Sequence, residues 1–218
     1  MEHKRFIGSE KLILDGKELP YSMVDFWSAK FSAILLNMNR GSFAEFLVLC
    51  AMAENGDQAL WAGTVKAGVE AYDIDGPEIL TPHCRRKSRI EVKCTASVQL
   101  DTADEKEPIS LPPSRLTFSI RPAIDWNADS REARRNSDLY IFAHYKATRK
   151  SDNMLDLSFW DFYVYPTYKI DGNIDAELSK QSTISLRRLQ MIGVPCTSFR
   201  ELYLEIVRVC SEISEHSA

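Results

Sequence analysis

From Ser88 to Leu100 the chain reads "SRIEVKCTASVQL", and it divides by alternate positions. Ile90, Val92, Cys94, Ala96, Val98 and Leu100 are apolar; Arg89, Glu91, Lys93, Thr95, Ser97 and Gln99 are polar. Such alternation predicts a β-strand with one face in a core. The segments "TVKAGVEAYDI", "RLTFSIR", "DLYIFAHYKA" and "FWDFYVYP" are rich in β-branched and aromatic residues and predict further strands. "KLILDGKELP" predicts a short strand and a turn at Asp15-Gly16. "SMVDFWSAKFSAILLN" keeps helical spacing, and Ser22 with Asp25 has the spacing of a capping box. "NRGSFAEFLVLCAMA" predicts a second helix, apolar nearly all round and therefore buried. "TSFRELYLEIVRVCSEIS" predicts a C-terminal amphipathic helix with Ser198 and Glu201 at capping-box spacing. The polar stretches "DTADEKEPISLPPS" and "DWNADSREARRNSD" predict loops. Helices, then strands, then helices predict an α/β sandwich around a mixed central β-sheet.

Composition narrows the class. A length of 218 residues suits one domain spanning 1–218. With 44% hydrophobic and 27% charged residues the chain has the make-up of a soluble globular protein. No apolar run reaches membrane-spanning length, and "MEHKRFIGSE" lacks the apolar segment of a signal peptide, so a cytoplasmic protein without a membrane partner is expected. The 5 cysteines are scattered and form no CxxC pair, which fits a reducing setting and indicates neither a disulfide framework nor a zinc knuckle. The 4 histidines show no metal-ligand spacing and read as structural or solvated. A net charge of -4 argues against a general nucleic-acid coat protein and leaves a local basic site open.

The candidate chemistry begins with Glu91 and Lys93, which share the polar face of the alternating strand with Ser97 and Gln99. By itself this is the pattern of a strand with one wet face. Asp73, in "AYDIDGPEI", ends a predicted strand ahead of a turn at Asp75-Gly76-Pro77. Pairing of the two strands would set Asp73 beside Glu91, giving two hard oxygen ligands suited to Mg²⁺. Glu45 is the charged residue of an otherwise apolar helix between Arg40 and Glu54. A buried carboxylate is costly unless paired, hydrogen-bonded or near a metal. Ser42-x-x-Glu45 also has capping-box spacing, so a cap and a site role both stand for Glu45.

Glu45 on an early buried helix, "YD" on a strand and "IEVK" on the next strand together resemble the PD-(D/E)XK nucleases, the restriction-endonuclease-like superfamily. "LDGKELPYSMVDFWSAKFSAILLNMNRGSFAEFLV" and "FWDFYVYPT" extend the likeness, over most of the chain, to uncharacterised bacterial proteins carrying this core. Tyr72 stands where the motif's name has proline, and "GPEILTPHCRRKS" separates Asp75 from the IEVK strand. The resemblance implies a restriction-endonuclease-like α/β sandwich and a catalytic set of Glu45, Asp73, Glu91, Lys93 and Gln99. Asp73, Glu91 and the carbonyl of Val92, with Glu45 at a second ion or through water, would hold Mg²⁺, with Mn²⁺ able to substitute. Lys93 would orient or deprotonate the attacking water or stabilise phosphoryl charge. DNA is the implied partner. Arg85, Arg86, Lys87 and Arg89, with Ser97 on the catalytic strand and Arg121 at the end of the next, would contact it; runs of charge are also common on solvated faces. The implied protein is a type II restriction enzyme or another defence nuclease. It would work as a homodimer, because double-strand cutting needs two sites or one site acting twice, and beside a methyltransferase or other defence partner. A repair or mobile-element nuclease, or a non-catalytic DNA-binding or interaction protein that kept the fold, are the alternatives.

Overall fold

The computed structural model describes residues 7–55, 71–81, 84–98, 111–126, 129–149, 151–172 and 178–217. Its centre is a mixed four-stranded sheet in the order β3-β4-β8-β9, formed by Ile74–Leu80, Arg85–Ala96, Leu139–Tyr145 and Trp160–Pro166. β4 runs antiparallel to β3 and parallel to β8, and β8 runs antiparallel to β9. β8 is buried at every position, as a central strand covered on both faces should be.

The even-numbered residues of β4 behave as the alternation predicts. Ile90, Val92 and Ala96 join Ile141, Ala143, Phe162 and Val164 in a core closed by α2 (Asn37–Glu54) and α5 (Phe199–His216), through Ala44, Leu47, Val48, Met52, Leu202, Ile206 and Val209. The odd face is not simply wet. Tyr140, Phe142, Tyr163 and Tyr165 pack there under a second, smaller core with Leu116, Phe118, Ile184, Leu186 and Leu189. Its cover is the antiparallel ribbon of β5 (Thr117–Ser119) and β10 (Thr183–Ser185), with the short helices α3 (Thr167–Ile170) and α4 (Leu186–Met191). The result is a mixed α/β sandwich with helices flanking a mixed sheet, as expected. β6 (Ala123–Ile124) and β7 (Ala133–Arg134) form a small separate ribbon, so the predicted loop at 125–138 contains one of its strands. At the N-terminus, β1 (Lys11–Leu14) and β2 (Lys17–Ser22) form a hairpin followed by α1 (Met23–Phe31).

Three sequence expectations change. Asp75-Gly76-Pro77 is no turn: it lies inside β3, where the pairing register shifts between Asp75 and Glu78. A bulge tolerates a proline, which has no N–H to donate to a ladder. Gly76 is needed there, because an added Cβ would sit 2.5 Å from both Ile90 Cδ1 and Ser88 Oγ. β4 also starts early, at Arg85, because Arg85 and Arg86 pair with Leu80 and Ile79. Finally, α2 starts at Asn37, and the Arg40 N–H already bonds the Leu36 carbonyl at 2.9 Å. Ser42 is therefore inside the helix, and the capping reading of Glu45 falls. The two other boxes form: Asp25 accepts from the Ser22 N–H at 2.7 Å, and Glu201 accepts from the Ser198 hydroxyl at 2.7 Å. The part of the strand predicted in "TVKAGVEAYDI" before Ala71 lies outside the described residues, as does most of the loop predicted at 101–114.

Candidate functional site

β3 parts from β4 at Ile74, and this opening gathers the candidate residues. Asp73 stands just before β3, not at the end of a strand, and its N–H bonds the Ile90 carbonyl at 3.0 Å. Its carboxylate caps the next outward donor of β4: Oδ2 accepts the Val92 N–H at 2.8 Å. A strand residue's N–H and C=O point the same way, so the Val92 carbonyl also faces the side on which Asp73 sits. Glu91 and Lys93, adjacent on the odd face, form a direct ion pair with 19% and 30% of their side chains exposed. Both ends are thus half-withdrawn from water.

Electrostatics tie Glu45 into the same group. Burial pushes its carboxyl up to about 7, helped by the negative charges of Asp73 and Glu91 and opposed by Lys93. Glu91 is also shifted upward, first by burial and then by Asp73, against the pull of Lys93. For Lys93 burial acts downward, but the carboxylates of Glu91, Asp73 and Glu45 outweigh it, and its pKa is raised. The charges of Glu45, Asp73 and Glu91 therefore all act on Lys93, which is ion-paired with Glu91. Such clustered, mutually shifted groups are characteristic of functional sites. Gln99 lies outside the described residues.

The basic residues are less open than the sequence implied. Arg86 holds both oxygens of Asp138, at 2.6 and 2.7 Å, and Asp138 also accepts the Arg89 N–H at 2.8 Å. This clamp fixes the start of β8 beside β4. Arg85 pairs with Glu78 across the β3–β4 ladder, and Arg89 lies over the Tyr72 ring at 5.5 Å. Lys87 and Arg121 are exposed, Arg121 just after β5 in the layer over the odd face. Ser97 is turned inward, 2.9 Å from His144 Nε2. His144 is buried, and burial pushes its pKa down to about 4.

Tyr140 was missed. It sits opposite Glu91 in the β4–β8 register, and burial together with Glu91 pushes its phenol up to about 12. Register alone brings the two together, and register cannot be read from "LYIFAHY". Arg40 was missed as well: it is 3% exposed, donates to the Leu35 carbonyl at 2.9 Å, and its Nε is buried without a partner. An arginine at the start of an apolar helix was the available signal.

Among the described residues no group of three or more His, Cys, Asp and Glu side chains is arranged to hold a metal ion. A cavity of about 550 Å³ lined by Tyr165, Lys169, Ile192, Arg208 and Glu212 lies between the end of β9 and α5; Glu45, Asp73, Glu91 and Lys93 are not part of it. No helix among the described residues is long and apolar enough to cross a membrane. Comparison with protein-family models, characterised proteins and solved structures returned no match to this chain.

Proposed function

We propose that this chain is a Mg²⁺-dependent DNA endonuclease of restriction-endonuclease-like architecture, hydrolysing phosphodiester bonds in restriction or another defence role. One observation carries the reading: where β3 leaves β4, Asp73 holds the Val92 N–H between Glu91 and Lys93, which are themselves ion-paired, and the charges of all three act on Glu45 of α2. A strand with a merely wet face needs no such convergence.

The donor set fits a small hard cation. Asp73 and Glu91 supply two carboxylates and Val92 a carbonyl on the side of Asp73, and Mg²⁺ characteristically takes one or two carboxylates and keeps several waters. Among the described residues no group of three such side chains is arranged to hold a metal ion, so the set suits one ion on Asp73 and Glu91, and Glu45 would act through an outer water. When bound, the ion supplies Lewis-acid polarisation of the phosphoryl group and acidifies water. The protein's own groups do the rest. Lys93, with its raised pKa, stays an ammonium at neutral pH. It therefore serves as a donor to a phosphoryl oxygen rather than as the base. Glu45, whose pKa of about 7 lies near working pH, is the better proton acceptor, although a nearby cation would lower that value. Asp73 holds the backbone of the catalytic strand through Val92 while presenting its second oxygen.

The test is incubation of plasmid DNA with the full chain in Mg²⁺, Mn²⁺ or chelator, followed by sequencing of the ends. Cleavage is expected with either ion and not with chelator, and it should be lost in Asp73→Asn and Glu91→Gln. Metal-independent cleavage, or full activity in both variants, refutes the reading.

A further inference from the structure

The N-terminal hairpin and α1 bury almost nothing. Every residue of β1 is exposed, and α1 has no buried residue. Leu12, Ile13 and Leu14 are 50%, 69% and 60% exposed, Tyr21 59%, Phe26 48% and Phe31 49%. The apolar groups are contiguous: Leu12, Tyr21, Met23 and Phe26 line a groove of about 420 Å³, and the Phe26 and Phe31 rings meet at 6.2 Å. Among the described residues, β1 packs chiefly on β2, and β2 on α1. Asn39 ties this arm to α2 by bonding the Lys30 and Ala33 carbonyls at 3.2 Å. A lone two-stranded hairpin is at best marginally stable in water.

We propose that the occupant is the same arm of a second copy, joined by antiparallel pairing of β1 with its symmetry mate. Two features favour this over a different partner. First, the edge is built for it. Asp15 and Gly16 have φ of 50° and 76°, the signature of a type I′ turn closed by the Leu14–Lys17 pair. That pair bonds inward, so the Ile13 N–H and C=O point outward from the hairpin. Among the described residues no other strand pairs with that edge, and no proline interrupts β1, whereas β2 carries Pro20. Second, the charges are self-complementary. A two-fold axis at Ile13 sets Lys11, at one end of β1, opposite Asp15 of the second copy, and the same pair recurs at the other end. The product is a four-stranded β2-β1-β1-β2 sheet with Leu12 and Leu14 of both copies on one face. A two-fold interface uses one patch twice, which is what the arm offers.

The arm is independent of the nuclease reading, and its test uses no activity. Sedimentation equilibrium of the full chain should show a dimer at about 100 μM and below. Ile13→Pro removes the outward donor and should weaken association by about 100-fold or more. Lys11→Glu sets like charges opposite each other and should weaken it about tenfold, and adding Asp15→Asn, a residue the turn accepts, should recover most of that loss. Circular dichroism checks that the sheet and helices of the body persist in each variant. A wild-type monomer, as expected if another segment of the chain or an unrelated protein covers the arm, overturns the proposal. So does a dimer indifferent to both Ile13→Pro and Lys11→Glu, and failure of the double variant to recover overturns the two-fold register.

Discussion

Replacing Lys93 by Met removes the ammonium and keeps the stem that packs along β4. Three quantities should then move separately. Stability falls first: the Glu91–Lys93 pair is 19% and 30% exposed, between a surface pair worth ~0–1 kcal/mol and a buried one whose breaking costs ~3–5 kcal/mol, so about 1–2 kcal/mol is expected. Part of this is recovered because Glu91, already shifted upward by burial, can take a proton. Metal affinity should not fall. Lysine is no ligand, and its charge repels a cation held by Asp73 and Glu91, so Mn²⁺ binding should strengthen by up to about tenfold. DNA cleavage should drop on the order of 10²-fold or more, the usual scale for a positioned donor at developing charge. Urea unfolding, calorimetry with Mn²⁺ and a plasmid-nicking assay read the three in turn. A variant that cuts at the wild-type rate refutes the role given to Lys93. Mn²⁺ binding weakened in step with cleavage would mean that the lysine only organises the carboxylates.

Other outcomes follow from the same geometry. Asp73→Asn should weaken Mn²⁺ binding by about tenfold or more, since it removes one of two carboxylates from the donor set; equal calorimetric affinities would take Asp73 out of the site. Asp138→Ala orphans the Arg86 guanidinium and the Arg89 N–H and should cost about 2–4 kcal/mol in urea unfolding; a loss below half a kcal/mol would show that the clamp is ornamental. His144 has a folded pKa of about 4 against an ordinary value of 6.5, so the unfolded chain binds more protons between these values. Its neutral burial contributes fully above pH 6.5 and is lost as pH falls toward 4, by at most ~3.5 kcal/mol at about 1.4 kcal/mol per unit. His144→Gln, which can still bond Ser97, should flatten that part of the stability curve, and an unchanged slope contradicts the assignment.

Period-2 and period-3.6 patterns determined a good deal by themselves. They located β4, β8, β9, α2 and α5 because these elements face a core, and burial imprints its period on the residues. They also marked Glu45 and Asp73, since a carboxylate in an apolar segment or at the end of a predicted strand is conspicuous in one dimension, although Asp73 in fact precedes β3. What lay between strands was decided in three. Asp75-Gly76-Pro77 has turn residues, yet pairing with Arg89 and Lys87 holds them in a bulged strand, and only that register sets Asp73 on the Val92 N–H. The role of Glu45 was open while either end of α2 was uncertain; a start at Asn37 removed the cap. Tyr140 meets Glu91, and Arg86 meets Asp138, across sequence separations that no local pattern reports. Local propensity is written residue by residue, whereas register, edge exposure and the meeting of distant charges arise only when the strands pair, and the candidate site is made almost wholly of such meetings.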